Sequence, residues 1–165
     1  KHDSQDICFI PDHDYAGYLE REVPCQIPGP GNFVTKDGVI LGKHLGITHY
    51  TVGQRKGLNL SMGHPVFVTE IRPETNEVVI GEAEDVFTRV VAFDQPNFMS
   101  EASFDPDKTY GAKVRYAHRT SPCRVEQIAE DRYQAVFETP VRAATPGQAI
   151  VLYDGDLVAG GGVIL

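Results

Sequence analysis

The chain lacks any long apolar run: among its 165 residues no stretch approaches the roughly 20 apolar residues that a helix needs to cross a bilayer. It also lacks the basic start and apolar block of a secretory leader, so no membrane association is expected and a cytoplasmic location is the default. Cysteine is scarce. The three present, Cys8, Cys25 and Cys123, are odd in number and irregular in spacing. That argues against a disulfide framework and fits a reducing compartment. Positive charge is in deficit as well, and a formal net charge of -8 speaks against a generic nucleic-acid binder, whose footprint is basic. No close pairs of Cys and His have the spacing of a structural zinc site. His44, His49 and His64, with Cys25, are therefore read as ordinary residues, and no metal is expected. The Gly-rich stretches GPGNF, VGQRKG and AGGGVI contain neither a GxxxxGK[ST] phosphate loop nor a strand-linked GxGxxG. No Ser-His-Asp arrangement can be assigned, so a nucleotide-hydrolysing core is not expected in this stretch.

What is present is ordinary globular material, 41% hydrophobic, 23% charged and 9% aromatic, enough for one core or two small ones. The net charge conceals a pattern. From Lys43 to Leu60 the chain carries Lys43, Arg55 and Lys56 and no acid, and from Lys113 to Arg124 it carries Lys113, Arg115, Arg119 and Arg124 and again no acid. Solvated faces of alternating sign are one reading. A local anionic partner is the other, with Tyr50 and Tyr116 in the same runs.

Periodicity divides the chain. Tyr15, Tyr18 and Leu19 sit at helical spacing ahead of Pro24, which predicts a short helix. NFVTKDGVILG reads as a hairpin about Asp37-Gly38. HYTVGQRKGLNLSMG is polar and Gly-punctuated, a loop or a single helical turn. A second hairpin follows, with Val66, Val68 and Ile71 facing Val78 and Ile80 across Pro-Glu-Thr-Asn. Composition breaks within GEAEDVFTRV, near residues 85–90. Beyond it, six alternating segments (RVVAFD, YGAKVRYA, PCRVEQIA, RYQAVFE, QAIVLYD and LVAGGGVIL) are separated by turn signals, the pattern of a small closed barrel or sandwich. The expected fold is mainly β: residues 1–20 as a connecting segment, 21–87 as a small central β domain with a short helix, and 88–165 as an antiparallel β-barrel.

Among the reactive candidates, Cys123 reads as a small buried hydrophobe at the start of a strand, and Cys25, in a Pro/Gly linker, reads as inert. Cys8 lies among polar residues near one end of the sequence. Access favours reactivity, and neighbouring acids oppose it by raising a thiol's pKa, which leaves nucleophile and bystander evenly matched. Gly160, Gly161 and Gly162 are read as close strand packing or a bulge.

Four motifs nevertheless form a set: DSQDICFIP, GKHLGITHYTVGQRKGL, VRYAHRTSPC, and ATPGQAIVLYDG followed by LVAGGGVI. In this order and at this spacing they resemble bacterial tRNA-specific 2-thiouridylases, over essentially the whole chain. The resemblance implies a carboxyl-terminal piece of such an enzyme, beginning just before a catalytic cysteine. It also implies a preceding ATP pyrophosphatase domain with a SGGxDS loop, a barrel similar to the second domain of elongation factor Tu, and ATP with Mg as cofactor. The implied reaction adenylates the C2 oxygen of the wobble uridine in tRNAs for lysine, glutamate and glutamine. A persulfide on Cys8, loaded by a sulfur-donor protein, then supplies the sulfur, and a first cysteine outside this chain helps release it by forming a disulfide with Cys8.

By the same resemblance Arg115, Tyr116 and Gln148 are implied to touch tRNA: Arg115 through a phosphate, Tyr116 by stacking or through its hydroxyl, and Gln148 through phosphate, sugar or base edge. On the residues alone, Tyr116 reads equally as a barrel residue with one polar end and TPGQ as a backbone turn. Gln54, Arg55 and Lys56 are expected in a structural or interdomain role first and in phosphate contact second. Without the ATP loop, the chain by itself is expected neither to bind ATP specifically nor to thiolate tRNA. The competing expectation is a noncatalytic RNA-binding module of translation-factor type.

Overall fold

The computed structural model describes residues 14–23, 27–100 and 102–165. It divides into two compact units, Lys1–Gly81 and Glu82–Leu165.

In the first unit, helix α1 (Tyr15–Glu22) begins where the Asp14 carboxylate accepts a hydrogen bond from the Gly17 N–H at 3.0 Å, satisfying one of the donors a helix start leaves open. Strands β1 (Gly31–Val34) and β2 (Ile40–His44) form the first hairpin. Its turn is closed by Thr35 N–H donating to Val39 O at 2.8 Å, and Gly38 takes φ +83° there, a left-handed conformation that suits glycine. Strands β3 (Phe67–Arg72) and β4 (Glu77–Gly81) form the second, with Val68 opposite Ile80 and Ile71 opposite Val78. The sheet order is β2-β1-β4-β3, and β1 and β4 run parallel. One face is covered by the long segment between β2 and β3, which holds a 3-10 turn (Ile47–His49) and contributes Tyr50, Leu58 and Val66 to a core with Phe33, Val68, Val78 and Ile80.

The second unit is a closed antiparallel barrel of β5 (Phe87–Phe98), β6 (Tyr110–Lys113), β7 (Ser121–Ala129), β8 (Arg132–Arg142), β9 (Ala149–Asp154) and β10 (Leu157–Ile164). The ring runs β10-β5-β8-β7-β6-β9, and closure leaves no strand edge exposed. Alternate residues point inward: Phe93, Tyr110, Ala112, Val125, Phe137, Ile150 and Leu152 are all but inaccessible. A large side chain buried this way contributes about 1.5–3 kcal/mol relative to exposure. Phe104, from the β5–β6 connection, packs its ring against Phe98, Tyr133, Tyr110 and Phe93 at centroid distances of 4.8, 5.4, 6.0 and 6.1 Å. The three glycines of β10 serve both purposes expected of them. A Cβ at Gly160, Gly161 or Gly162 would collide with the backbone oxygens of Asn97, Ile150 and Asp94 respectively, and the register shifts on both sides of them.

One expected strand is shorter than its pattern. YGAKVRYA alternates throughout, yet β6 stops at Lys113 and the chain turns, with His118 N–H donating to Arg115 O at 3.1 Å. The Ser-Pro turn signal that follows lies inside β7 instead, where Pro122 sits opposite Gly111.

Candidate nucleic-acid interface

Two loops at one end of the barrel meet through a single side chain. Arg115, in the β6–β7 turn, donates from Nε to Ala143 O at 2.8 Å and from Nη2 to Thr145 Oγ1 at 2.7 Å, both in the β8–β9 loop. Thr145 Oγ1 in turn donates to Ala143 O at 3.1 Å. A planar guanidinium carries several donors in a fixed fork, so these bonds set the spacing of the two loops and not merely their proximity. The β8–β9 loop is rigid on its own account. Gln148 N–H donates to Thr145 O at 3.2 Å across Pro146-Gly147, and Gly147 has φ +81°. Proline followed by a positive-φ glycine is the pattern of a type II turn. Gly147 N–H donates to Ile164 O and Ile164 N–H to Gln148 O, at 2.9 and 2.8 Å, pinning the turn to the end of β10.

The result is a groove of about 580 Å³ that brings together Arg115, Tyr116 and Gln148, three residues separated in sequence but expected to act together. Tyr116 stands at its rim with 81% of its surface exposed, and Gln148 is exposed beside it. Lys113 lies further along, its Nζ 5.9 Å from the centroid of the Tyr153 ring. No carboxylate occurs among the described lining residues, although the chain as a whole carries a net charge of -8. Burial, and after it the neighbouring Arg142, pull the Arg115 guanidinium's pKa below its ordinary value without discharging so strong a base. Burial, then Arg115, then Arg142 lower the pKa of His118. An anion brought to this end of the barrel would offset the cation–cation part of both shifts.

Arg115 was expected to meet a phosphate; in the structure its guanidinium holds the two loops together. Sequence reasoning did not foresee Arg142 and Thr145, because they lie in a different stretch of the chain and nothing in their own neighbourhood marks them.

In the central unit Gln54 is engaged by its own loop. Its Oε1 accepts from Thr51 N–H and its Nε2 donates to Lys56 O, each at 3.0 Å. Gly53 N–H donates to Val68 O and Val68 N–H to Gln54 O, at 2.7 and 2.9 Å, tying the loop to β3. Arg55 and Lys56 are exposed at its tip. His44 is 2% exposed. Its Nδ1 accepts from Gly46 N–H and its Nε2 faces Asn76 O, each at 3.1 Å, which fixes a neutral ring with the proton on Nε2. Burial is the main cause of its lowered pKa. Among the described residues no group of three or more His, Cys, Asp or Glu is placed to hold a metal ion. Cys123 is fully buried and its thiol is pushed up to about 12 by burial, which makes it a poor nucleophile. Cys8 and Cys25 lie outside the described residues.

Comparison with known proteins adds a second line of argument. Residues 16–82 match the family model described as a tRNA methyl transferase PRC-barrel domain, and residues 88–164 match that of an aminomethyltransferase beta-barrel domain. The tRNA-specific 2-thiouridylase MnmA of Lachnoclostridium phytofermentans is 52% identical over 165 residues, 100% of this chain and 46% of the relative. Those of Carboxydothermus hydrogenoformans and Clostridioides difficile are 46% and 44% identical over 99% of this chain and 45% of their own lengths. The chain thus spans a little under half the length of the curated relatives it matches. Matched along its length by two domain models and by these relatives, it belongs to the tRNA-specific 2-thiouridylase family.

Proposed function

We propose that this chain supplies the tRNA-holding surface and the sulfur-carrying cysteine of a tRNA-uridine 2-sulfurtransferase. The observation that carries the first part is the groove in which Arg115, Tyr116 and Gln148 converge between cationic side chains. In this reading Arg115 positions the two loops and lends its charge to a nearby phosphate. Tyr116 offers a ring on which an unpaired base stacks, and Gln148 offers both a donor and an acceptor to sugar or base edge. Phosphate contacts then fix register while the tyrosine and the amide sense the bases.

The second part rests on the DSQDICF motif and on family membership. The Cys8 thiolate attacks the outer sulfur of a donor persulfide, forming a Cys8 persulfide and releasing the donor's thiolate. That sulfur is then delivered to C2 of the wobble uridine of tRNAs of the lysine, glutamate and glutamine types. The adenylated C2 oxygen leaves as AMP, and the Cys8 S–S bond is broken by a second cysteine outside this chain, which ends in a disulfide with Cys8. Activation of C2 by ATP and Mg requires a phosphate-binding loop. None of the patterns for one occurs in these 165 residues, so no part of that step is assigned to this chain. Gln54, Arg55 and Lys56 keep a structural or interdomain role.

The test is fluorescence anisotropy with a labelled, unmodified tRNA transcript and the 165-residue chain. The double variant Tyr116→Ala/Gln148→Ala is expected to weaken binding at least tenfold, and unchanged affinity would overturn the interface. For the cysteine, incubation with a protein persulfide donor followed by peptide mapping is expected to find the added sulfur on Cys8. Equal labelling of Cys25 or Cys123 would remove the dedicated carrier. A noncatalytic RNA-binding module would instead retain activity as Cys8→Ser in the longer enzyme.

A further inference from the structure

The groove does not end at Tyr116 and Gln148. It continues along the outer face of the β6–β9 ladder, where Gly111 lies opposite Tyr153 and Lys113 opposite Val151. Their neighbours in each strand, Ala112, Ile150 and Leu152, point into the barrel and are buried. The outer face of a barrel strand ordinarily carries polar side chains. Here it carries Ala149, Val151 and Tyr153 on one strand, and on the other a glycine followed by a single lysine. The glycine adds no side chain of its own opposite Tyr153, and the Thr120 methyl lies 3.7 Å from where its Cβ would stand. The floor is therefore flat, small and apolar, with a tyrosine at each end of the groove and a cation within it.

From this arrangement we propose that the β6–β9 face is a second nucleotide subsite, in which one unstacked base lies on Val151 against the Tyr153 ring while its phosphate meets Lys113. The proposal rests on the RNA-binding reading of the neighbouring loops and extends it to Lys113, Val151 and Tyr153, to which that reading gives no role. Three features select this ligand class. An apolar floor beside an aromatic face suits a planar base, which needs stacking and no particular hydrogen bond. The lysine, already 5.9 Å from the Tyr153 centroid, lies where a phosphate attached to such a base would fall, and a carboxylate-free lining does not repel it. The groove's volume of about 580 Å³ falls inside the range of about 300–1,000 Å³ typical of clefts that hold small ligands. A strand face bearing exposed aromatic residues is also how sheet-based RNA binders take successive bases.

Affinity for an unmodified tRNA transcript, measured by anisotropy at several salt concentrations, tests this on the whole 165-residue chain. Tyr153→Ala is expected to weaken binding by about 5- to 100-fold, the loss of one stacked base. Tyr153→Phe keeps the ring and stays within about twofold of the parent. Lys113→Gln is expected to lower the slope of log affinity against log salt by about 1, as for one lost phosphate contact. Because Lys113 and Tyr153 are only partly buried, circular dichroism should find all three variants folded. If Tyr153→Ala weakened folding, Val151→Glu would replace it as the test, since a carboxylate on the floor repels a nucleotide without removing a ring. Full affinity in Tyr153→Ala or Val151→Glu, with the Tyr116→Ala/Gln148→Ala variant still impaired, would overturn the second subsite and leave the loop interface standing. Full affinity in all of them, or no binding by the parent chain, would overturn both.

Discussion

The two units build their cores in opposite ways. In the barrel nearly every core residue comes from a strand, Val91 and Phe93 from β5 and Ile150 and Leu152 from β9 among them, with Phe104 and Val114 added from connections. In the open sheet of the first unit Tyr50, Leu58 and Val66 all come from the long segment between β2 and β3. Four short strands with two edges cannot enclose a core, so a loop supplies the missing wall. The difference governs what each loop is free to do. GQRKGL in the first unit is held by backbone bonds to β3 and by Gln54, whereas the β6–β7 and β8–β9 loops of the barrel give the core only Val114 and a partly buried Ala144 and present Tyr116 and Gln148 outward.

The sharpest way to break the comparison is to truncate a loop residue in each unit. Leu58 is 5% exposed and within the core of the first unit. Leu58→Ala is expected to cost about 2–5 kcal/mol, the range for emptying a packed leucine site. Gln148→Ala, in an exposed loop, is expected to stay within about 0.5 kcal/mol. Urea unfolding of both variants measures this. Comparable costs at the two sites would mean that the loops do not differ in kind.

How far these roles could be read in advance follows the same division. Both hairpins of the central sheet were legible, because alternation of apolar residues and a Gly or Pro turn signal act over a few residues. The six barrel segments were legible for the same reason. The wall formed by Tyr50, Leu58 and Val66 was not, since HYTVGQRKGLNLSMG has no periodicity and its apolar residues are spaced by turns. Phe104 sits in an acid-rich connection and gives no local sign that it fills the barrel. The Arg115 bonds to Ala143 and Thr145 depend on β6 ending early, which the alternation of YGAKVRYA contradicts. Tertiary hydrogen bonding overrode the local pattern there, and the candidate interface exists because it did.

A smaller effect lies in how the first unit responds to acid. His44 is buried with Gly46 N–H on Nδ1 and Asn76 O at Nε2. Phe33 and Tyr50 pack edge-on against its ring, and Lys43 and His49 are the charged or titratable neighbours that also lower its pKa. A pKa below the unfolded value means that the unfolded chain binds the proton first as pH falls. The stabilisation is complete above about pH 6.5, where the unfolded imidazole titrates, and is lost as pH falls from there through the folded pKa. Unfolding measured between pH 8 and 5 (roughly the range over which imidazoles titrate) should find the first unit weakening with acid. His44→Gln, which can still accept from Gly46 and donate to Asn76, should flatten that component. An unchanged profile would remove His44 as its source.

The smallest effect bears most directly on function. His118 also has a lowered pKa, but burial is joined there by Arg115 and Arg142, the same cations that a phosphate at the loop interface would partly neutralise. RNA binding should therefore raise the pKa of His118 and leave that of His44 unmoved, because His44 is enclosed by its own hydrogen bonds. By linkage, a group whose pKa rises on binding takes up a proton, so affinity should increase as pH falls from above the bound-state pKa to below the free one, then level off. His118→Gln should abolish that increment. Imidazole NMR titrations with and without an unmodified tRNA transcript measure both rings in one experiment. A shift at His44 alone would place the RNA on the central sheet, whereas a shift confined to His118 assigns the contact to the barrel, where the strands carry the core and leave the loops to the ligand.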